Sequence, residues 1–291
     1  MSAGKQTSFE GTIIQNFNFF LEHTEEHKVM LQHLPGILRP EFERIGAGKS
    51  SLDVLGVGSG AGDMDAEMLS LLQSVFPAVP ITADIVDGSI QLTDSFKALV
   101  ANTANLQKIS FAWHIMNSED YEKQVKAQED MKKFDFIHMI HVLYYVENLN
   151  EALKFHHSLL KRNGRLLIIV NAATSDWVPL WKAYMKELRA GTDIDKPKMT
   201  SGEVIACLKS QGLKYDEYVI PISFDITECF NPGSTTGERL LSFMTSRPHF
   251  SQSFTPDIRA GILDLLRNKC STMKDGRVFF NSTSSCIIVH A

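Results

Sequence analysis

The chain has 291 residues, enough to bury one large core or a core with a second small lobe. Apolar residues make up 44% and charged residues 22%, the balance of a soluble globular protein rather than a disordered or membrane-spanning one. A formal net charge of −5, with no basic stripe, argues against a nucleic-acid partner.

The start, Met1 to Gly11, is polar and lacks the apolar run of a secretory signal. Cys207, Cys229, Cys270 and Cys286 show no C-x-x-C spacing and are expected as reduced, mostly buried thiols of a cytosolic protein. Without a signal segment, Asn281-Ser282-Thr283 is expected to be an unused glycosylation pattern.

Between Gly11 and Leu34, the spacing of Ile13, Ile14, Phe17, Phe20, Leu21, Val29, Met30 and Leu34 predicts one or two amphipathic helices, ended by Pro35-Gly36. Inside this stretch His23-Thr24-Glu25-Glu26-His27 spells H-x-x-E-H, a zinc-hydrolase motif in which Glu26 would be the base. On one helix the two histidines would share a face. No third ligand is announced, so no metal is expected.

Leu52 to Val57 reads as a strand buried on both faces, the habit of parallel sheets. It runs into Gly58-Ser59-Gly60-Ala61-Gly62, and helical periodicity begins at Asp63. Glycines between a strand and a helix let bare backbone approach a ligand, at the place where open α/β sheets bind nucleotides. The spacing is G-x-G-x-G, neither the dinucleotide G-x-G-x-x-G nor a P-loop, so the ligand is expected to lack a phosphate chain. The next strand, Ile81 to Asp87, ends in an acid placed to accept hydrogen bonds from a ribose diol.

Ile90 to Leu106 is predicted as a helix and Ile109 to Trp113 as a third strand. Ser118, in the loop that follows, is either an adenine contact or a helix cap. Phe136 to Ile140 is a buried strand that breaks into His141, Tyr144 and Tyr145 at its carboxyl end, where ligands of doubly wound sheets sit. A helix to Leu160, a turn at Asn163-Gly164 and a strand Arg165 to Val170 follow. Trp177, Leu180, Trp181 and Tyr184 share a wide helical face. Thr200 caps a further helix that Gly212 ends, ahead of a strand from Tyr215 to Ile222. Ser223 to Lys274 is an aromatic-rich insertion, and Arg277 to His290 closes the chain as one bent strand or a hairpin. The expected organisation is a helical substrate cap (1–46), a nucleotide-binding core (47–222), a substrate-side insertion (223–276) and closing strands (277–291).

Gly58-Ser59-Gly60-Ala61-Gly62 with Asp87 resembles the site of class I methyltransferases that use S-adenosyl-L-methionine (AdoMet). Four stretches resemble the histamine N-methyltransferase family more narrowly: Phe20-Leu21-x-His23-Thr24-x-Glu26-His27, Phe111-Ala112-Trp113-His114, Asp135 to Tyr145, and Phe280-Asn281-x-Thr283. The resemblance implies an α/β Rossmann-like fold, a mostly parallel sheet flanked by helices, with a small substrate lobe. It implies AdoMet as cofactor, contacted at Gly58, Asp87, Ser118 and Ile140, with Ser59 and Gly60 in the same turn. The family's ribose glutamate is Asp87 here, and a glutamine that contacts AdoMet falls on Leu92, beside Gln91.

Three polar substrate positions of the family fall on Glu26, His141 (a glutamine in the family) and Ser282 (an asparagine). Tyr144, Tyr145, Trp181 and Phe243 are candidate aromatic walls for a flat cationic ring. The expected activity is methyl transfer to an imidazole ring nitrogen, of histamine or of a related compound such as carnosine or another small amine. A zinc hydrolase and an inactive binder are the other classes. A cytosolic monomer with no membrane association is expected.

Overall fold

The computed structural model describes residues 11–189 and 199–291. The described residues open with α1 (Thr12–His23) and α2 (Glu26–Gly46), then alternate through β1 (Leu52–Val57), α3 (Asp63–Val75), β2 (Ile81–Asp87) and α4 (Ile90–Asn102). The chain continues with β3 (Ser110–Ile115), α5 (Ser118–Lys126), β4 (Phe134–Ile140), α6 (Leu149–Ser158) and β5 (Leu160–Asn171). Helices α7 (Trp177–Ala183), α8 (Met185–Arg189) and α9 (Ser201–Ser210) precede β6 (Tyr215–Ile220) and β7 (Ser223–Asp225). The remainder is α10 (Thr235–Met244), α11 (Phe250–Ser253), α12 (Pro256–Asn268), β8 (Thr272–Lys274), β9 (Arg277–Asn281) and β10 (Ser284–His290).

The chain divides into two compact units. The sheet unit comprises Met30–Val170, Ser201–Val219 and Ser285–Ala291. Its seven strands run in the order β3-β2-β1-β4-β5-β10-β6. The pairs β1–β2, β1–β4, β2–β3 and β4–β5 are parallel. Strand β1 therefore pairs with β2 on one side and β4 on the other, the reversal of strand order at whose carboxyl ends such sheets bind ligands. Six of seven residues of β4 are buried, and all but one of the seven in β10, which is why these runs carry no alternation of apolar and polar residues.

The opposite, amino-terminal ends of the strands are tied by charge. Lys161 donates to Asp53 (2.6 Å) and to Asp135 (2.8 Å), whose carboxylate also accepts the Asp53 N–H (2.8 Å). Lys132 donates to Asp84 (2.6 Å), and the Thr82 hydroxyl to Asp53 (2.5 Å). The clasp joins β1, β2, β4 and β5 and fixes their register.

The lobe unit lies within Met1–Val29, Asn171–Thr200 and Ile220–Ser284. Its core gathers Phe19 and Phe20 of α1, Trp177, Leu180 and Trp181 of α7, and Leu240, Leu241 and Met244 of α10, with Phe224 and Phe280 from a small antiparallel sheet of order β7-β9-β8. The aromatic residues of the insertion thus share one core with α1, α7 and β9.

Several sequence expectations need correction. Pro35-Gly36 does not end a helix: α2 runs on through Pro35 and Pro40 to Gly46. An interior proline removes a backbone bond and usually costs about 3 kcal/mol. Here Pro35, Gly36 and Pro40 are exposed, while Met30, Leu34, Leu38, Phe42 and Ile45 are buried at helical spacing, and that burial offsets the loss. Helix α4 stops at Asn102, with Leu106 in a separate short turn. The closing run is neither one bent strand nor a hairpin, since β9 belongs to the small sheet and β10 to the large one. The four cysteines are unpaired, three of them buried. Among the described residues, no helix is long and apolar enough to cross a membrane.

Candidate active site

The turn after β1 is shaped by its glycines. Gly58, Gly60 and Gly62 all have positive φ (68°, 57° and 84°), a region that costs any residue with a Cβ. A methyl group on Gly58 would overlap Val142, and one on Gly62 would overlap the Phe96 ring. A methyl on Gly60 would meet nothing nearer than Leu92 Cδ1 at 4.0 Å, so open space lies over that backbone. The Gly58 N–H donates to the Val86 carbonyl (2.7 Å), tying the turn to β2.

Asp87, at the end of β2, reaches across to this turn. One oxygen accepts the Gly60 N–H and the other the Ser89 N–H, both at 2.8 Å. Burial pushes its pKa up, against those two backbone bonds, and the nearby Asp65 carboxylate adds to the rise. A carboxylate offers about four lone-pair sites, and these two bonds use two of them. Ser89 also caps α4 by accepting the Leu92 N–H (3.2 Å). Leu92 is buried and Gln91 exposed.

Ser118 is the first residue of α5 and does not cap it; Asn117 does, accepting the Asp120 N–H at 2.8 Å. The Ser118 side chain is half-buried and has no capping duty. Ser59, placed in the turn as expected, directs its hydroxyl to the Asp65 carboxylate (2.8 Å).

At the carboxyl end of β4, Ile140 is half-buried and His141 adopts φ +50°, a left-handed conformation uncommon outside glycine and asparagine. Its N–H donates to the Ile169 carbonyl (2.9 Å), so the turn begins while the backbone still pairs with β5. The imidazole Nδ1 shares a 3.0 Å hydrogen bond with the Tyr144 hydroxyl, and the two rings lie nearly parallel. Tyr145 is 42% exposed, and its ring meets the Tyr144 ring edge-on at 6.4 Å. Such strain gathers at sites where a side chain must be aimed.

In the lobe unit, Glu26, Ser282, Trp181 and Phe243 are brought together with Trp177, which was read from sequence only as part of an aromatic face. The Trp177 Nε1–H donates to the Ser282 hydroxyl (2.9 Å), and that hydroxyl donates to Glu26 Oε2 (2.9 Å). Ser282 is fully buried. Burial pushes the Glu26 carboxyl up to about 7, the Ser282 bond only moderating it. Glu26 is also the first residue of α2, where the helix dipole favours a carboxylate, and burial prevails. Trp181 stacks on Trp177 at 5.4 Å, and Phe243 stacks on Phe20 at 4.0 Å with its edge toward Trp177 at 6.2 Å.

The H-x-x-E-H segment is not one helix. Helix α1 ends at His23, Thr24 is extended (φ −122°, ψ 159°), and α2 starts at Glu26, so the face that would carry both histidines is broken. His23 instead donates from Nδ1 to the Phe19 carbonyl (2.9 Å). Among the described residues no group of three or more candidate ligands could hold a metal.

The chain matches the Methyltransferase domain family over residues 30–217. It is 39% identical to histamine N-methyltransferase A of Xenopus laevis, over 96% of this chain and 94% of that one. It is 38% identical to carnosine N-methyltransferase 2 of Gallus gallus, over 96% of this chain and 86% of that one. Among solved structures, YcgJ of Bacillus subtilis aligns with a TM-score of 0.56 at 16% identity, over 89% of this chain and 98% of that one. A putative methyltransferase of Bacillus halodurans aligns at 0.55 and 14%, over 87% and 97%; both support the Rossmann-like methyltransferase fold. With sequence identity near two-fifths along almost its whole length, the chain belongs to the histamine N-methyltransferase family of class I AdoMet-dependent methyltransferases.

Proposed function

We propose that the protein transfers a methyl group from AdoMet to a ring nitrogen of a small imidazole amine, histamine first, as a monomer in the cytosol. The unpaired cysteines support a reducing compartment. The observation that carries the cofactor site is the open backbone at Gly60 with Asp87 directly across it, an uncrowded cradle beside a carboxylate with lone pairs to spare. Gly58, Ser59 and Gly60 would hold the ligand's amino-acid end through backbone, Asp87 its ribose hydroxyls, and Ser118 and Ile140 its base. When bound, AdoMet supplies an electrophilic methyl group on a sulfonium sulfur.

The remaining work belongs to the chain's own side chains. A neutral imidazole, with a pKa near 6.5, offers a nucleophilic lone pair at physiological pH, so orientation and exclusion of water matter more than a strong base. Glu26, with its pKa about 7, is matched to accept the ring N–H and then the proton that a methylated imidazolium must lose. Ser282 and Trp177 fix the rotamer of that carboxyl. Trp181, Phe243, Tyr144 and Tyr145 offer π faces that favour a flat cation, and His141 is the polar contact in place of the family's glutamine.

Carnosine is the second reading, favoured by the nearly equal similarity to the Gallus gallus carnosine enzyme (38% identity against 39%) and by the two changed polar positions, His141 and Ser282. A methyl-transfer assay with labelled AdoMet against histamine, carnosine, histidine and simple arylamines separates the two. Histamine as the preferred acceptor is the expected result; turnover of carnosine alone reassigns the acceptor. Should histamine be the poorer substrate, His141→Gln with Ser282→Asn is expected to raise its kcat/KM about 10-fold, the worth of one or two restored hydrogen bonds. No gain would remove those two positions from the specificity account.

A further inference from the structure

A buried polar cluster lies beneath the glycine turn, and the proposed chemistry uses none of its side chains. Asp65, on the first turn of α3, is 1% exposed and accepts the Ser59 hydroxyl at 2.8 Å. His138, on β4, places Nε2 2.9 Å from the same Asp65 oxygen. The three side chains close over Gly56, which pairs with His138 in the parallel register of β1 and β4. A methyl group on Gly56 would stand 2.7 Å from Asp65 Oδ1 and 2.8 Å from His138 Cε1, and would overlap the Ser59 hydroxyl.

A buried carboxylate is costly unless paired and hydrogen-bonded, and apolar residues of similar volume usually serve stability as well or better. Its presence here calls for another role. Ser59 is the single residue of Gly58–Gly62 with a polar side chain, so side-chain anchorage of the turn rests on that hydroxyl. The next amide, Gly60 N–H, is the one that meets Asp87.

We propose that Asp65, packed beside His138, is a positioning residue for AdoMet: it grips Ser59 and thereby fixes the Ser59–Gly60 peptide that the cofactor lies against. The inference rests on AdoMet binding at this turn. Calorimetric titration of AdoMet into wild type, Ser59→Ala, Asp65→Asn and the double variant tests it, with kcat and acceptor KM measured at saturating AdoMet. Each single change is expected to raise the AdoMet Kd about 10-fold, the effect of losing one hydrogen bond to a charged group. The double variant should be no weaker than the worse single, because both changes cut one link. Acceptor KM and kcat should stay within about twofold, a split that a general loss of structure would not give.

An unchanged Kd in folded Ser59→Ala, additive losses in the double variant, or kcat falling in step with affinity overturns the proposal. Ser59→Ala leaves the Asp65–His138 contact in place and decides the question alone if Asp65→Asn does not fold. Wild type that fails to bind AdoMet removes the site assignment itself, and with it this inference; wild type that binds while Ser59→Ala binds equally well removes the positioning role only.

Discussion

Two buried titratable residues pull the pH dependence of stability in opposite directions. Glu26 is raised by burial from 4.5 to about 7. The folded state therefore holds a proton that the unfolded state has released, and stability is lost as pH rises from 4.5 to 7. Glu26→Gln keeps the shape and discards the charge, so it is expected to stabilise the protein by about 3 kcal/mol at pH 8 and by almost nothing at pH 4.5. Denaturant melts at the two pH values check this; equal effects at both would show that Glu26 is not held near neutrality. Its partners Trp177 and Ser282 could not be read as a chain from sequence, since the two bonds span 105 and 256 positions. The placement of the glycine turn after β1 and of Asp87 at the end of β2 was legible because both follow from local spacing alone.

Gly60 and Gly62, in the turn joining β1 to α3, share a left-handed backbone and differ in what surrounds them. Gly62→Ala adds backbone strain and drives a methyl into Phe96, for an expected loss of about 2–4 kcal/mol of stability. Gly60→Ala carries the strain without the clash and should cost only about 1–2 kcal/mol. Its methyl fills the open space over the turn, so AdoMet affinity should fall at least about 10-fold, by displaced contact rather than unfolding. Thermal melts and AdoMet titrations of both variants separate the effects; a Gly60→Ala protein of normal affinity would mean that the ligand does not lie on this backbone. Elsewhere, element boundaries failed where tertiary packing overrode local signals. Proline and glycine at 35 and 36 read as a stop, yet α2 passes them because both face water. The H-x-x-E-H match failed for the opposite reason, a break at Thr24 that no breaker residue announces.

On the scale of the whole molecule, alternating strands and helices announced the Rossmann-like core. The fate of the last strands stayed hidden because β9 and β10 are adjacent in sequence but belong to different sheets. Acid stability belongs to this scale as well. His156 is fully buried, donates from Nδ1 to the Ala152 carbonyl (2.8 Å), and is pushed down to about 4 by burial. Its depressed pKa contributes stability that is complete above 6.5 and lost as pH falls toward 4, about 2–3 kcal/mol across the window. His156→Leu should flatten the melting temperature between pH 7 and 4.5; an unaltered acid limb would place the sensitivity elsewhere.

Methyl transfer as proposed here requires the glycine turn and Asp87 to hold AdoMet, and calorimetric titration of AdoMet into wild type and Asp87→Ala measures that directly. Loss of the charge-assisted bonds to a ribose diol should raise Kd about 10- to 100-fold, and the melting temperature of the free protein should fall modestly, because the Gly60 and Ser89 N–H groups lose their acceptor. Equal affinity in the two proteins would contradict it.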